Sequence, residues 1–126
     1  MNLEKVVFAF FILLAATLNF GFVYGDMADP IMHASWELFA ALVVSLIATV
    51  LKFGDRTHVG AVHLAASLVA LLQLAAAAVL WVIADSTEGG LDAGATAAVV
   101  SLAAGAFIAN VVSVVIMVIE TTMQRR

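Results

Sequence analysis

The charges of this chain alternate in sign around long apolar runs, and no other feature restricts its folding so strongly. All five basic residues keep one register: Lys5 before the first run, Lys52 and Arg56 between the second and third, Arg125 and Arg126 after the fourth. The acids Asp26 and Asp29, then Asp85, Glu88 and Asp92, fill the alternate gaps. Lys and Arg beside an apolar span stay on the cytoplasmic side during insertion. A run of about 20 apolar residues crosses the hydrocarbon core as a helix, because a helix bonds its own backbone groups where no water can. The expectation is therefore an all-α, integral membrane four-helix bundle with both termini in the cytoplasm.

Composition agrees with that class. A chain that is 65% hydrophobic, with a mean hydropathy of +1.17, has lipid as its natural surround. Its 126 residues leave room for one domain, with spans at about 6–24, 34–53, 58–84 and 92–122. The net charge of −4 argues against nucleic acid as a partner. The absence of cysteine excludes disulfide exchange and thiolate metal sites. Asp26, Asp29 and Pro30 close the first span with a turn no helix continues through. Trp36 and Trp81 stand where indoles prefer the outer interface. The connection Gly54-Asp55-Arg56-Thr57 is so short that the second and third spans are antiparallel neighbours.

The segment Ala41 to Val50 can be laid over Ala106 to Val115, which places Ser45 opposite Asn110. Two parallel helical-hairpin repeats would produce that match. In the fourth span Ala97, Ser101, Gly105, Ala109 and Ser113 recur every four residues. Small side chains let helix backbones approach closely in lipid, where no hydrophobic drive joins helices. Such a groove serves either another helix of this chain or a partner protein. Shorter stripes of the same kind occur at Ala41, Ser45 and Thr49, and at Ala66, Ala70 and Ala77 beside Gln73.

Polar residues inside the spans cost free energy unless satisfied, so they are the candidates for function. Gln73 and Asn110 lie near mid-membrane, where an amide–amide bond between helices competes with a substrate or ion site. Asn19 lies at the level of Glu37, and the two either bond each other or line an outer vestibule. Glu37 sits in the first turn of its helix, where the dipole favours an anion; a cation or proton role is the sharper alternative. Glu120, in a last turn, needs a nearby cation, with Lys52, Arg56 and Arg125 within reach and Asp55 completing an inner-surface group of ion pairs. His33 and the pair His58 and His63 lie on opposite sides of the bilayer, so neither a metal nor another cofactor is expected. No nucleophile–base or phosphate-loop pattern is present, and an enzyme is not expected.

The stretch Asn2-Leu3-Glu4-Lys5-Val6, then Thr17-Leu-Asn19-Phe-Gly21-Phe, then Glu37 through Ser45 to Lys52-Phe-Gly54-Asp55-Arg56-Thr57, resembles a family of small uncharacterised bacterial inner-membrane proteins. The likeness covers the first three spans well and the fourth poorly. It implies the bacterial cytoplasmic membrane and this topology, carries no established activity, and implies association with potassium channel or uptake systems. Two expectations follow. One is a non-enzymatic accessory or assembly subunit of an ion channel or transporter, docking a larger membrane protein through the groove of the fourth span. The other is a homo-oligomeric carrier or channel for an ion or small solute, with Glu37, Asn19, Gln73 and Asn110 along the path.

Overall fold

The computed structural model describes residues 3–24, 35–53, 58–87 and 89–124, and it is all-α with no strand among them. Four helices follow in order: α1 (Leu3–Val23), α2 (Ser35–Lys52), α3 (His58–Ser86) and α4 (Ala93–Gln124). Each is long and apolar enough to cross a membrane, in keeping with a multi-pass membrane protein. Asp26, Asp29, Pro30, His33, Asp55, Arg56, Glu88 and Arg125 lie outside the described residues.

The helices form a square. α1 packs on α2 and α4, α3 packs on α2 and α4, and the diagonals meet only marginally along the backbone. Lys5 at the start of α1 bonds Glu120 near the end of α4, so the first and last helices close the ring side by side. That end of the bundle, which also holds the end of α2 and the start of α3, is the terminal end. The opposite end is the loop end. There Asp92 starts α4: its Oδ1 accepts from Ala95 N at 2.7 Å, and its carbonyl accepts from Thr96 N and Oγ1. A side-chain acceptor in that position satisfies one of the amides left open in a first helical turn. Gly89 and Gly90, both with φ in the left-handed region, turn the chain just before it.

The buried residues explain why the square holds. They recur at alternating intervals of three and four: Phe8, Ile12, Ala15, Asn19 and Phe22 in α1, and Leu38, Ala41, Ser45 and Ala48 in α2. In α3 the series is Gly60, His63, Ser67, Ala70, Leu74, Ala77 and Trp81; in α4 it is Thr96, Val99, Ala103, Ala106, Asn110 and Ser113. A mean spacing of 3.5 keeps one face turned inward along the whole helix when neighbours cross at about 20°. The outward faces carry Phe10, Leu13, Val43, Leu46, Leu72, Ile108 and Val115, large apolar side chains that water would not support and lipid does.

This spacing corrects one expectation. The stripe of small residues in α4 steps by four, so on a helix of 3.6 residues per turn it drifts about 40° at each step. It therefore starts on a flank and ends inside. Ser101 is exposed, Ala97, Gly105 and Ala109 are half-buried, and Ser113 is fully buried. Trp81 departs from its expected place as well. It is buried edge-on against Phe22 at 5.7 Å between centroids, whereas Trp36 is exposed.

Candidate functional site

The interior is divided. One apolar cluster fills the loop end around Phe22, Leu38, Leu74, Trp81 and Val99, and a smaller one fills the terminal end around Phe8, Ile12 and Ala48. Aromatic rings bridge the α1–α3 diagonal in both: Phe22 on Trp81, and Phe8 on His63 at 5.1 Å. Between these bridges the buried side chains are Ile12, Ala15, Ala16 and Asn19 of α1 and Ser67, Ala70, Leu74, Ala77 and Ala78 of α3. A belt of polar residues lies there, made of Asn19, Ser45, Ser67, Asn110 and Ser113, each at most 1% exposed.

Their levels follow from contacts beside them. Phe20, next to Asn19, meets Phe107, one turn from Asn110, at 5.7 Å, so the two asparagines share a level. Ser113 is one turn from Asn110 toward the terminal end, and Ser67 is one turn from His63 toward the loop end. Ser45 lies about 10 Å along α2 from Lys52, which reaches over the Phe8 ring at 4.3 Å. The belt therefore runs from just above the terminal cluster to the underside of the loop-end cluster.

Its polar atoms are unsatisfied. Among the described residues no hydrogen-bond partner meets Nδ2 or Oδ1 of either asparagine, the hydroxyls of Ser45, Ser67 and Ser113, or Oε1 of Gln73. A buried polar group without a partner costs about 1–3 kcal/mol, so a set of this size is not structural filler. The threonines differ. Thr49 donates to Ser45 O at 2.8 Å and Thr96 to Asp92 O at 2.8 Å, each closing on its own helix.

The two expected side-chain pairs are not formed. Gln73 lies over Gly105, where an added Cβ would stand 2.5 Å from its Oε1, and it does not reach Asn110. The Glu37 carboxylate rests against Gly21, where an added Cβ would collide with Oε2, and Asn19 keeps its amide free of it. In both hairpins a glycine on one helix makes room for a long polar side chain from the other. Gly105 and Ser113 thus face this chain's own interior, which leaves Ser101 as the outward part of the stripe.

At the terminal end Glu120 takes Lys5 at 2.9 Å, on the adjacent helix, a partner not expected from the sequence; Arg56 and Arg125 lie outside the described residues. Lys5 was overlooked as a partner because the chain order hides that α1 and α4 adjoin. Ser67 was overlooked too, although its place in the spacing 60, 63, 67, 70, 74 marks it as inward. No group of three His, Asp or Glu able to hold a metal occurs among the described residues.

A bundle of four apolar helices, each able to span a membrane, with an internal polar belt is the class that fold and site define. The sequence matches the family of unknown function DUF6394 over residues 32–121, well over half of the chain, and the protein belongs to that family. The match takes in α2, α3 and α4 as far as residue 121 and begins after α1, so it covers the fourth helix, where the likeness was expected to be poor, and leaves out the first, where it was expected to be good. No curated protein and no solved structure shows a significant match.

Proposed function

We propose that the protein is a non-enzymatic, multi-pass protein of the bacterial inner membrane, with both termini cytoplasmic, that admits a small polar species into its belt as a carrier or channel. One observation carries the reading: buried amides and hydroxyls, unpartnered among the described residues, lie inside the length of helices whose outer surface suits lipid. Polar groups at that depth are retained where they line a path or hold a ligand. The apolar clusters at the two ends act as closures, so passage requires one of them to part. Copies assembled side by side would give several such paths.

The hairpin repeat belongs to the same proposal. Leu38, Ala41, Ser45 and Ala48 of α2 correspond to Ala103, Ala106, Asn110 and Ser113 of α4, all of them buried, which supports a common origin of the two hairpins. An accessory role beside an ion channel or transporter, potassium systems included, rests on the outward part of the α4 stripe. With Gly105 and Ser113 turned inward, that role has less surface to use, and the belt reading is preferred.

The test is flux in proteoliposomes, with a panel of small solutes and ions, comparing the native protein with Asn19→Leu/Asn110→Leu, in which leucine keeps the branching of asparagine. Passage of one species that the double variant abolishes is the expected result. Equal flux through both proteins for every species would refute the proposal.

A further inference from the structure

The unsatisfied atoms of the belt are of two kinds, and their mixture restricts what fits there. Asn19 and Asn110 each offer an NH₂ donor and a carbonyl acceptor, Ser45, Ser67 and Ser113 each offer a hydroxyl that does both, and Gln73 adds a carbonyl. A bare cation would take the oxygens and leave both Nδ2 groups buried without acceptors. An anion would take the NH₂ and hydroxyl donors and leave the three amide oxygens facing its charge. Turning either asparagine amide over changes nothing, because both of its ends are unpartnered.

Charge points the same way. The five belt residues and Gln73 are all neutral, and the carboxylate of Glu37, resting on Gly21 two residues beyond Asn19, lies at the loop-end edge of the belt. Neither kind of ion finds a compensating charge in the belt.

We infer that the belt is built for small uncharged molecules that donate and accept hydrogen bonds at once, water being the smallest of them, and against ions of either sign. The inference rests on the reading of the belt as a site, and it names the chemical class of what that site takes.

Stopped-flow light scattering on proteoliposomes tests it. An osmotic step with an impermeant sugar reads water, re-swelling in urea or glycerol reads larger members of the class, and parallel assays read K⁺, Na⁺ and Cl⁻. The expected result is neutral permeability above protein-free vesicles, lost in Asn19→Leu/Asn110→Leu, with no ion flux above that baseline. Water passage alone restricts the class to its smallest member; urea or glycerol passage widens it. Ion flux that the double variant removes overturns the inference and leaves the transport proposal standing. Neutral passage that survives the double variant overturns both. If nothing passes, the transport proposal fails, and water-edited solid-state NMR on the same vesicles decides the inference. Magnetisation transfer from water to the side-chain amides of Asn19 and Asn110 upholds it, and its absence overturns it. Should the double variant misfold, Asn19→Ala and Asn110→Ala are used singly.

Discussion

The terminal end and the belt both hold polar residues inside an apolar bundle, yet they treat them in opposite ways. At the terminal end polar groups meet groups of other helices: Lys5 meets Glu120, Lys52 lies over Phe8, and His63 stands edge-on to the same ring. In the belt Asn19 and Asn110 meet, among the described residues, nothing that accepts or donates. Position alone does not account for the difference, since His63 is as deeply buried as the serines of the belt. Polar residues at the terminal end join helices, whereas those of the belt face an interior that the two apolar clusters enclose. The contrast teaches that in this bundle contacts between helices mark the terminal end, and amides without a partner among the described residues mark the belt.

The sharpest way to break that contrast is to remove the terminal knot. Phe8→Ala deletes the ring that Lys52 and His63 both use and opens a void beside Ile12 and Ala48. Phe→Ala changes in water-soluble cores cost roughly 3–5 kcal/mol, and the low end applies here because lipid removes part of the transfer term. Unfolding in bicelles measures it. Next comes overpacking of the small-residue interface, where Ala103→Leu, at a fully buried position of α4, should lose about 1–3 kcal/mol. Gly105→Ala is milder, since the clash falls on the end of the flexible Gln73 side chain; the expected result is a displaced amide, read by NMR, with helix packing kept. The ion pair is the smallest. Lys5 and Glu120 are partly exposed, so Glu120→Gln should change stability by less than about 1 kcal/mol, and by less still at high salt.

The sequence disclosed the four helices because apolar length and charged flanks are local signals. Helix starts such as Asp92 could be read to within a residue or two, since a capping side chain is itself local. The site was legible only in part. Asn19, Ser45, Gln73 and Asn110 stand out as polar residues in apolar spans, but their partners do not, because these helices are apolar all round and hydrophobicity gives no clue to the inward face. The four-residue stripe of α4 misled for that reason. Small residues at a spacing of four look like one face, while the true inward face follows the three-and-four spacing of Thr96, Val99, Ala103, Ala106, Asn110 and Ser113. That α1 and α4 adjoin was likewise hidden, and with it the pairing of Lys5 with Glu120.

The stability of Asn110→Leu in bicelles, measured against the native protein, addresses the central claim most directly, because it asks whether a belt amide serves the fold. An amide with no partner contributes no bond, so the account predicts a variant at least as stable as the native protein, with Asn110→Ala within about 1 kcal/mol as the control for crowding. A loss of about 1–2 kcal/mol in both variants, the value of an interhelical hydrogen bond in lipid, would show that Asn110 is structural after all and contradict the account.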